Sequence, residues 1–180
     1  MKTSRRGFTL VELMVAIIIV AALAAIAVPI VRKGIAKSHE ATCLSNLRQI
    51  GLGLEAYLQD NSQRMPVWDT SRPSKESDTP VIETGLEPYL GEDASVFECP
   101  ADREQFRLTG SSYSWNSLLN DQPVAKLELA FGSFVITDNP SRIPLVLDKE
   151  SWHPGGDAGE KNYLYADLSA EGRMRLSAGP

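Results

Sequence analysis

Four polar side chains in the last quarter of the chain have the chemistry of a reactive or ligand-binding site: Asp148, His153, Asp157 and Asp167. A histidine beside a carboxylate can act as a general base in hydrolysis. The chain contains no G-x-S-x-G motif to supply a nucleophile. Gly155 and Gly156 permit a positive φ, and Asp157 can hydrogen-bond within its own turn. We therefore expect turn chemistry here and no enzymatic activity.

Glu12 is a second candidate, because it is a carboxylate inside the apolar run 8–31. As an α-helix this run is roughly 36 Å long, enough to cross a hydrocarbon core of about 30 Å. An acid there is costly without a partner. Three explanations compete: a secretory signal cut after Ala27, a plain membrane anchor, or a cut between Gly7 and Phe8. The last would create an α-amine that could pair with Glu12 of a neighbouring subunit. The length of the run and its acid both argue against a secretory signal.

The stretch RRGFTLVELMVAIIIVAALAAIAVP resembles the class III signal of type IV pilins and type II secretion pseudopilins. The resemblance consists of a short basic leader, Gly7 before the cut, Phe8 after it, Glu12 as the fifth mature residue and Pro29 as a helix-kinking proline. It implies cleavage between Gly7 and Phe8 by a prepilin peptidase and N-methylation of Phe8. Glu12 and Pro29 would then serve assembly through the hydrophobic helix.

The same resemblance implies partners and a location. The expected partners are the peptidase, other pilin or pseudopilin subunits and an inner-membrane assembly platform. The chain would cross the bacterial inner membrane once, with its N-terminus cytoplasmic and its head periplasmic, and would be extracted into a filament. Flanking basic residues do not set this orientation, because three lie on each side of the run. A membrane-tethered binding module that does not polymerise is the alternative.

Beyond residue 31 the pattern becomes amphipathic, with apolar residues at helical spacing up to about residue 61: Leu44, Leu47, Ile50, Leu54, Tyr57 and Leu58. A break near Gly34 is an option. We divide the chain into a leader (1–7), a transmembrane or filament-core helix (8–31), its amphipathic continuation (32–61) and a globular α+β head (62–180).

The head is predicted to contain short strands. Residues 62–80 are rich in Ser, Pro and charge and indicate a long exposed loop. Strands are predicted in SSYSWN, FGSFVIT and RIPLVLDKE, and a hairpin with its turn at 170–172 follows. The predicted fold is α+β, with a long N-terminal α-helix, transmembrane in its first half, packed on a small antiparallel β-sheet.

The chain has two cysteines, Cys43 and Cys99. They form no CxxC motif and no paired Cys/His spacing, so the sequence does not predict a structural zinc site. Outside the cytoplasm they could form a disulfide that closes a loop of 56 residues. Two unpaired buried thiols are the alternative. The net charge of −5 and the absence of a basic patch argue against a nucleic-acid partner.

The C-terminal half resembles a group of prepilin-like proteins from planctomycete and verrucomicrobial-type bacteria. In that group a histidine and a Gly-rich turn precede a strand that ends in Asp-Gly. His153 and Asp167 match this pattern, and Leu168 stands where the group has glycine. Major pseudopilins commonly hold a calcium ion in a C-terminal loop, and Asp157 and Asp167 are the candidate ligands by that resemblance.

Overall fold

A computed structural model describes residues 9–91, 94–132, 134–137, 139–153, 160–172, 174 and 175. Gly7, Phe8 and Asp157 lie outside these residues, so the predictions that name them stay predictions. The chain divides into two compact units, Met1–Lys37 and Ser38–Pro180. The first helix, α1 (Leu10–Asp60), contributes residues to both units.

Helix α1 continues through Pro29 and through Gly34, so the optional break near Gly34 does not occur. It ends without a glycine cap. Ser62 and Gln63 take left-handed φ values of 56° and 55°, and the backbone N–H of Gln63 donates to the Leu58 carbonyl at 2.9 Å. This hydrogen bond satisfies a carbonyl that the helix end would otherwise leave unpaired.

The main sheet of the second unit is antiparallel and has four strands in the order β1-β4-β5-β6 among the described residues. Its strands are β1 (Tyr113–Trp115), β4 (Pro144–Asp148), β5 (Tyr163–Tyr165) and β6 (Ala170–Glu171). Tyr113 is paired with Asp148 and Val146 with Leu164. A separate antiparallel ribbon consists of β2 (Glu128–Phe131) and β3 (Phe134–Thr137).

Short helices connect these strands to α1. The α-helices are α2 (Ile82–Gly85), α3 (Glu87–Leu90) and α4 (Gln105–Thr109). Single 3-10 turns lie at Ala94–Phe97, Ser117–Leu119, Val124–Lys126 and Pro140–Arg142.

The core forms where the second part of α1 meets the sheet. Buried α1 side chains recur every three or four residues: Cys43, Leu47, Ile50, Leu54 and Leu58. They join buried sheet residues in one cluster: Tyr113, Trp115, Val146 and Leu164. Burying each Leu or Ile contributes about 1.5–3 kcal/mol. The predicted α+β class, with a long N-terminal helix and an antiparallel sheet, is confirmed.

Two local predictions are wrong. The hairpin turns at Ala166–Leu168, not at 170–172, because Asp167 accepts a hydrogen bond from the Ser169 backbone at 3.0 Å and Leu168 takes a φ of 61°. The segment 62–80 is not exposed throughout. Its Trp68 is buried, and the ring centroid of Trp68 lies 5.5 Å from that of Trp115.

Candidate functional site

The first part of α1 exposes a continuous apolar surface. Its large aliphatic residues are each about half to three-quarters exposed: Leu10, Val11, Leu13, Val15, Ile17, Ile18, Ile19, Val20, Leu23, Ile26, Val28, Ile30 and Val31. A monomer in water does not leave so large an apolar patch uncovered. By length and composition the helix could cross a membrane. Together with the sequence motif, this fits a single-pass membrane-anchored protein.

Glu12 is held by Thr9, the residue that precedes the first residue of α1. Its Oε2 accepts hydrogen bonds from the Thr9 backbone N–H at 2.9 Å and from the Thr9 hydroxyl at 2.8 Å. The Glu12 N–H donates back to Thr9 Oγ1 at 3.2 Å. These reciprocal bonds are a capping box, for which Thr-x-x-Glu before an apolar run is the sequence signal. Glu12 therefore has a second role, as a helix-capping residue, that was not predicted from the sequence.

Capping leaves one oxygen of the carboxylate available. Glu12 Oε1 accepts no hydrogen bond from any residue that the structure describes. The Thr9 bonds are between a carboxylate and neutral donors, so they orient the negative charge without neutralising it. A cation that approaches this end of the helix would therefore meet a fixed carboxylate.

The two cysteines are joined in a disulfide inside the second unit. The Cα atoms of Cys43 and Cys99 lie 5.1 Å apart, within the usual range for a disulfide. Neither side chain is exposed to solvent. Cys43 projects from the buried face of α1, and Cys99 follows the 3-10 turn Ala94–Phe97.

His153 and Asp148 lie beside this disulfide. Nε2 of His153 is 3.5 Å from Cys99 Sγ and 3.4 Å from Asp148 Oδ2. Asp148 is completely buried and His153 is 4 % exposed. Of the four polar residues singled out from the sequence, the structure brings these two together. No sequence pattern predicted that the cysteines would lie next to His153 and Asp148, because the cysteines are far from both residues along the chain.

The sheet and one loop hold these groups in position. Asp148 ends β4, and its Oδ2 accepts the Asn162 backbone N–H at 2.8 Å. The Cys99 backbone N–H donates to Ser112 Oγ at 3.0 Å, next to β1. The amide of Asn46 on α1 donates to the Glu98 carbonyl at 2.8 Å. Helix, strand and loop thus converge on the disulfide.

Asp167 has a different environment. Its Oδ1 accepts the backbone and hydroxyl hydrogen bonds of Ser169, and its Oδ2 is 3.5 Å from Arg175 Nη1. Burial acts to raise the pKa of Asp167, but the Ser169 hydrogen bonds and the charge of Arg175 lower it overall. Its contacts are those of a turn residue with an ion-pair partner. Calcium binding by Asp157 and Asp167 stays a prediction.

Comparison with known proteins agrees with the N-terminal features. Residues 2–28 match the family model of the prokaryotic N-terminal methylation motif. Two curated proteins, each the type IV major fimbrial protein FimA of Dichelobacter nodosus, are 38 % identical to the chain over 63 residues, which is 35 % of this chain. The chain spans about 40 % of the length of these relatives.

No solved structure matches the chain. The similarity of the C-terminal half to the planctomycete and verrucomicrobial-type group stays a prediction. The motif match, the fimbrial relatives and the exposed apolar helix agree with one another: the N-terminal part of this chain is similar to type IV fimbrial proteins, and its residues 2–28 match the prokaryotic N-terminal methylation motif.

Proposed function

We propose that the chain is a structural subunit, a pseudopilin or minor pilin, of a type IV pilus-like or type II secretion filament. The observation that carries this proposal is the exposed apolar surface of α1 with a single carboxylate, Glu12, near its start. Packing such helices side by side buries apolar area at about 25 cal/mol per Å².

Glu12 sets the register of that packing. A carboxylate surrounded by apolar side chains is strongly disfavoured unless a positive charge pairs with it. The methylated α-amine of a neighbouring subunit supplies that charge after cleavage between Gly7 and Phe8. Because Thr9 engages Oε2 of Glu12, Oε1 is the oxygen that faces the partner. This charge pair disfavours any axial offset between neighbouring helices that leaves the Glu12 carboxylate without a positive partner.

The proposal includes the machinery of assembly. A prepilin peptidase cleaves the leader, Phe8 is N-methylated, and the helix spans the bacterial inner membrane with its N-terminus cytoplasmic and its head periplasmic. An inner-membrane platform then extracts the subunit into the filament. The role is mechanical and requires no enzymatic activity, cofactor or nucleic acid. The similarity to fimbrial proteins supports this assignment.

The decisive experiment separates the charge of Glu12 from its capping. Glu12→Gln keeps the capping box, since glutamine serves at this position, but removes the charge. Thr9→Ala breaks the capping box, at about 1 kcal/mol of helix stability, and keeps the charge. A photo-crosslinking residue at exposed Ile19 reports on neighbouring helices in the native membrane.

We expect Glu12→Gln to abolish crosslinked multimers while the monomer stays membrane-bound, and Thr9→Ala to retain them. If both variants form multimers like the unaltered chain, the charge of Glu12 does not set the packing and the proposed pairing fails. If the unaltered chain itself forms no crosslinked multimers, the filament proposal fails and the tethered binding module is favoured. If only Thr9→Ala loses multimers, capping and not charge sets the packing, which also contradicts the proposal.

Mass spectrometry of the mature N-terminus tests processing directly. The expected first residue is a methylated Phe8. A mature chain that begins at Met1 or at Val28 would remove the basis of the proposed pairing. In the first case the α-amine is not that of Phe8, and in the second Glu12 itself has been removed.

A further inference from the structure

We propose that the second unit docks onto a second copy of this chain through the free edge of β3, so that two β2–β3 ribbons join into one four-stranded antiparallel sheet. The contact forms between two chains anchored in the same membrane. It does not depend on filament assembly or on the charge of Glu12.

The side chain of Gln122 closes the outer edge of β2. Its Oε1 accepts the Glu128 backbone N–H at 2.8 Å, and its Nε2 donates to the Glu128 carbonyl at 2.9 Å. The amide thus makes the two hydrogen bonds that a neighbouring strand would make. Both backbone groups of Glu128 therefore point away from β3.

This geometry determines which groups of β3 face outward. Glu128 is opposite Thr137, and Ala130 is opposite Val135. In an antiparallel pair of strands, hydrogen-bonded and non-hydrogen-bonded residue pairs alternate. Because Glu128 turns its groups outward, these two pairs are the non-hydrogen-bonded ones. The backbone N–H and C=O groups of Val135 and Thr137 therefore point away from β2, into the space beside the ribbon.

The outer edge of β3 has no cover comparable to Gln122. The backbone groups of Val135 and Thr137 make no hydrogen bond outside the ribbon to any residue that the structure describes. Val135 is 51 % exposed, whereas Ile136 is buried in the core. The strand contains no charged residue and no proline, the features that commonly protect an edge strand from pairing. This edge is therefore open to another strand.

A second copy is the partner that these features select. Backbone groups at the edges of the main sheet have partners within the chain: the Trp115 N–H of β1 donates to the Thr70 carbonyl at 3.1 Å, and the Ala170 carbonyl of β6 accepts from Arg48 at 3.4 Å. The β3 edge is left, and two identical uncharged edges can approach without the repulsion of like charges placed opposite each other.

The pairing has a defined register. A two-fold axis beside Ile136 places Val135 opposite Thr137 of the partner subunit, and Thr137 opposite Val135 of the partner subunit. Each of these pairs exchanges two backbone hydrogen bonds, about four in total. No other register of two antiparallel β3 strands uses the outward groups of both residues in both copies.

The membrane anchor makes so small a contact sufficient. Two paired strands of four residues bury much less than the roughly 1,200–2,000 Å² of a stable complex in solution. Anchoring both chains by α1 confines them to the membrane and raises their effective concentration for each other. We therefore expect the pairing in the membrane and not in dilute detergent solution.

The test joins two differently tagged chains in the native membrane by a disulfide. One chain carries Val135→Cys, the other carries Thr137→Cys, and a mild oxidant is added. The proposed register places the two Cα atoms about 5.5 Å apart, within the range of a disulfide. Two Val135→Cys chains would have these Cα atoms roughly 9 Å apart, which is too far. We expect the mixed disulfide and little of either same-variant disulfide.

Proline variants of the Thr137→Cys chain give a matched comparison. Val135→Pro removes an outward N–H at the β3 edge, and Ala130→Pro removes one at the β2 edge, so neither breaks a hydrogen bond within the ribbon. We expect Val135→Pro to lower the yield of mixed disulfide at least about fivefold, and Ala130→Pro to leave it unchanged. Val135→Lys should also lower the yield, because lysine on an edge opposes strand pairing. The melting temperature of each variant shows whether it folds.

Several results would overturn the proposal. A mixed disulfide no more abundant than the same-variant disulfides would indicate random collision. Absence of any disulfide would exclude the second copy and favour an extended segment of another protein at this edge. Equal losses in folded Val135→Pro and Ala130→Pro would show that the β3 edge is not the contact. Glu12→Gln should leave the mixed disulfide intact, and its loss there would show that the contact depends on filament assembly.

Discussion

Asp102 connects one helix start to the disulfide. Its Oδ1 accepts the backbone N–H groups of Glu104 and Gln105, each at 2.9 Å, at the start of α4. Its Oδ2 accepts the Phe106 N–H at 2.8 Å and the Ser112 hydroxyl at 2.6 Å. Because Ser112 Oγ in turn accepts the Cys99 N–H, this carboxylate fixes the backbone that carries one of the two cysteines.

We expect Asp102→Ala to lower the free energy of unfolding by about 2–4 kcal/mol, since it removes a helix cap and several hydrogen bonds to a charged acceptor. Urea unfolding measures the change. Asp69→Ala is the control, because Asp69 is exposed, and it should change stability by no more than about 0.5 kcal/mol. Equal effects of the two variants would show that the Asp102 network is not important.

Helix α1 carries glycines for different reasons. A Cβ built on Gly53 would lie 2.7 Å from Leu90 Cγ, so α3 packs against the bare backbone there. A Cβ built on Gly34 would meet nothing within 4 Å. Close packing therefore requires the glycine at position 53, whereas the described residues leave open space around position 34.

Gly53→Ala should destabilise the second unit by about 1–3 kcal/mol, because overpacking outweighs the gain in helix propensity. Gly34→Ala should leave the unfolding midpoint of that unit unchanged. Thermal unfolding followed by near-UV circular dichroism around the buried Trp115 compares the two variants. An unchanged melting temperature for Gly53→Ala would contradict this prediction, because it would show that the Leu90 side chain can move aside without loss of stability.

Taken as a whole, the second unit depends on one covalent link between distant segments. The disulfide joins α1 to the loop after Ala94–Phe97 across 56 residues. In the chain-entropy model such a link contributes about 4 kcal/mol, and measured values are often smaller.

Cys43→Ala/Cys99→Ala should lower the free energy of unfolding by about 2–4 kcal/mol relative to the oxidised chain, mainly because the unfolded chain gains freedom. Urea unfolding measures this change. The chain with its disulfide reduced should show a similar loss. An oxidised chain no more stable than the double variant would contradict this account.

The last described residues are held by ion pairs that depend on pH. Arg175 Nε donates to Glu171 Oε2 at 2.9 Å, and Nη1 donates to the Ser141 carbonyl at 3.0 Å. Hydrogen bonding by Arg175 lowers the pKa of Glu171 below its ordinary value. The pKa of Asp167 is also lowered overall. These groups stabilise the fold above the pKa values of the unfolded chain, and that contribution is lost as the pH falls.

Arg175→Gln should therefore reduce the loss of stability between about pH 5 and pH 3, since the unfolded chain binds more protons than the folded one in this range. Urea unfolding midpoints at several pH values measure the slope of stability against pH. Arg107→Gln, a change at an exposed arginine, should leave the slope unaltered. A slope that is the same in Arg175→Gln and the unaltered chain would contradict the assignment.

Features encoded by neighbouring residues were predictable from the chain alone. The apolar run, the helical spacing of Leu47, Ile50, Leu54 and Leu58, and the strands around Trp115 and Val146 depend on contacts within a few turns or residues. The capping box at Thr9 and Glu12 also has a local signal, Thr-x-x-Glu before an apolar run. The Asp167 turn was misplaced because Leu168 adopts a conformation that usually favours glycine.

The cluster of Cys43, Cys99, Asp148 and His153 followed from the folded structure and not from any local pattern. Residues 43 and 153 are brought together by packing of α1 against the sheet, and no local sequence pattern covers so large a separation along the chain. Burial of Trp68 in a Ser- and Pro-rich segment has the same origin. Local patterns specify helices, strands and processing motifs, whereas the partners of a buried side chain depend on how those elements pack.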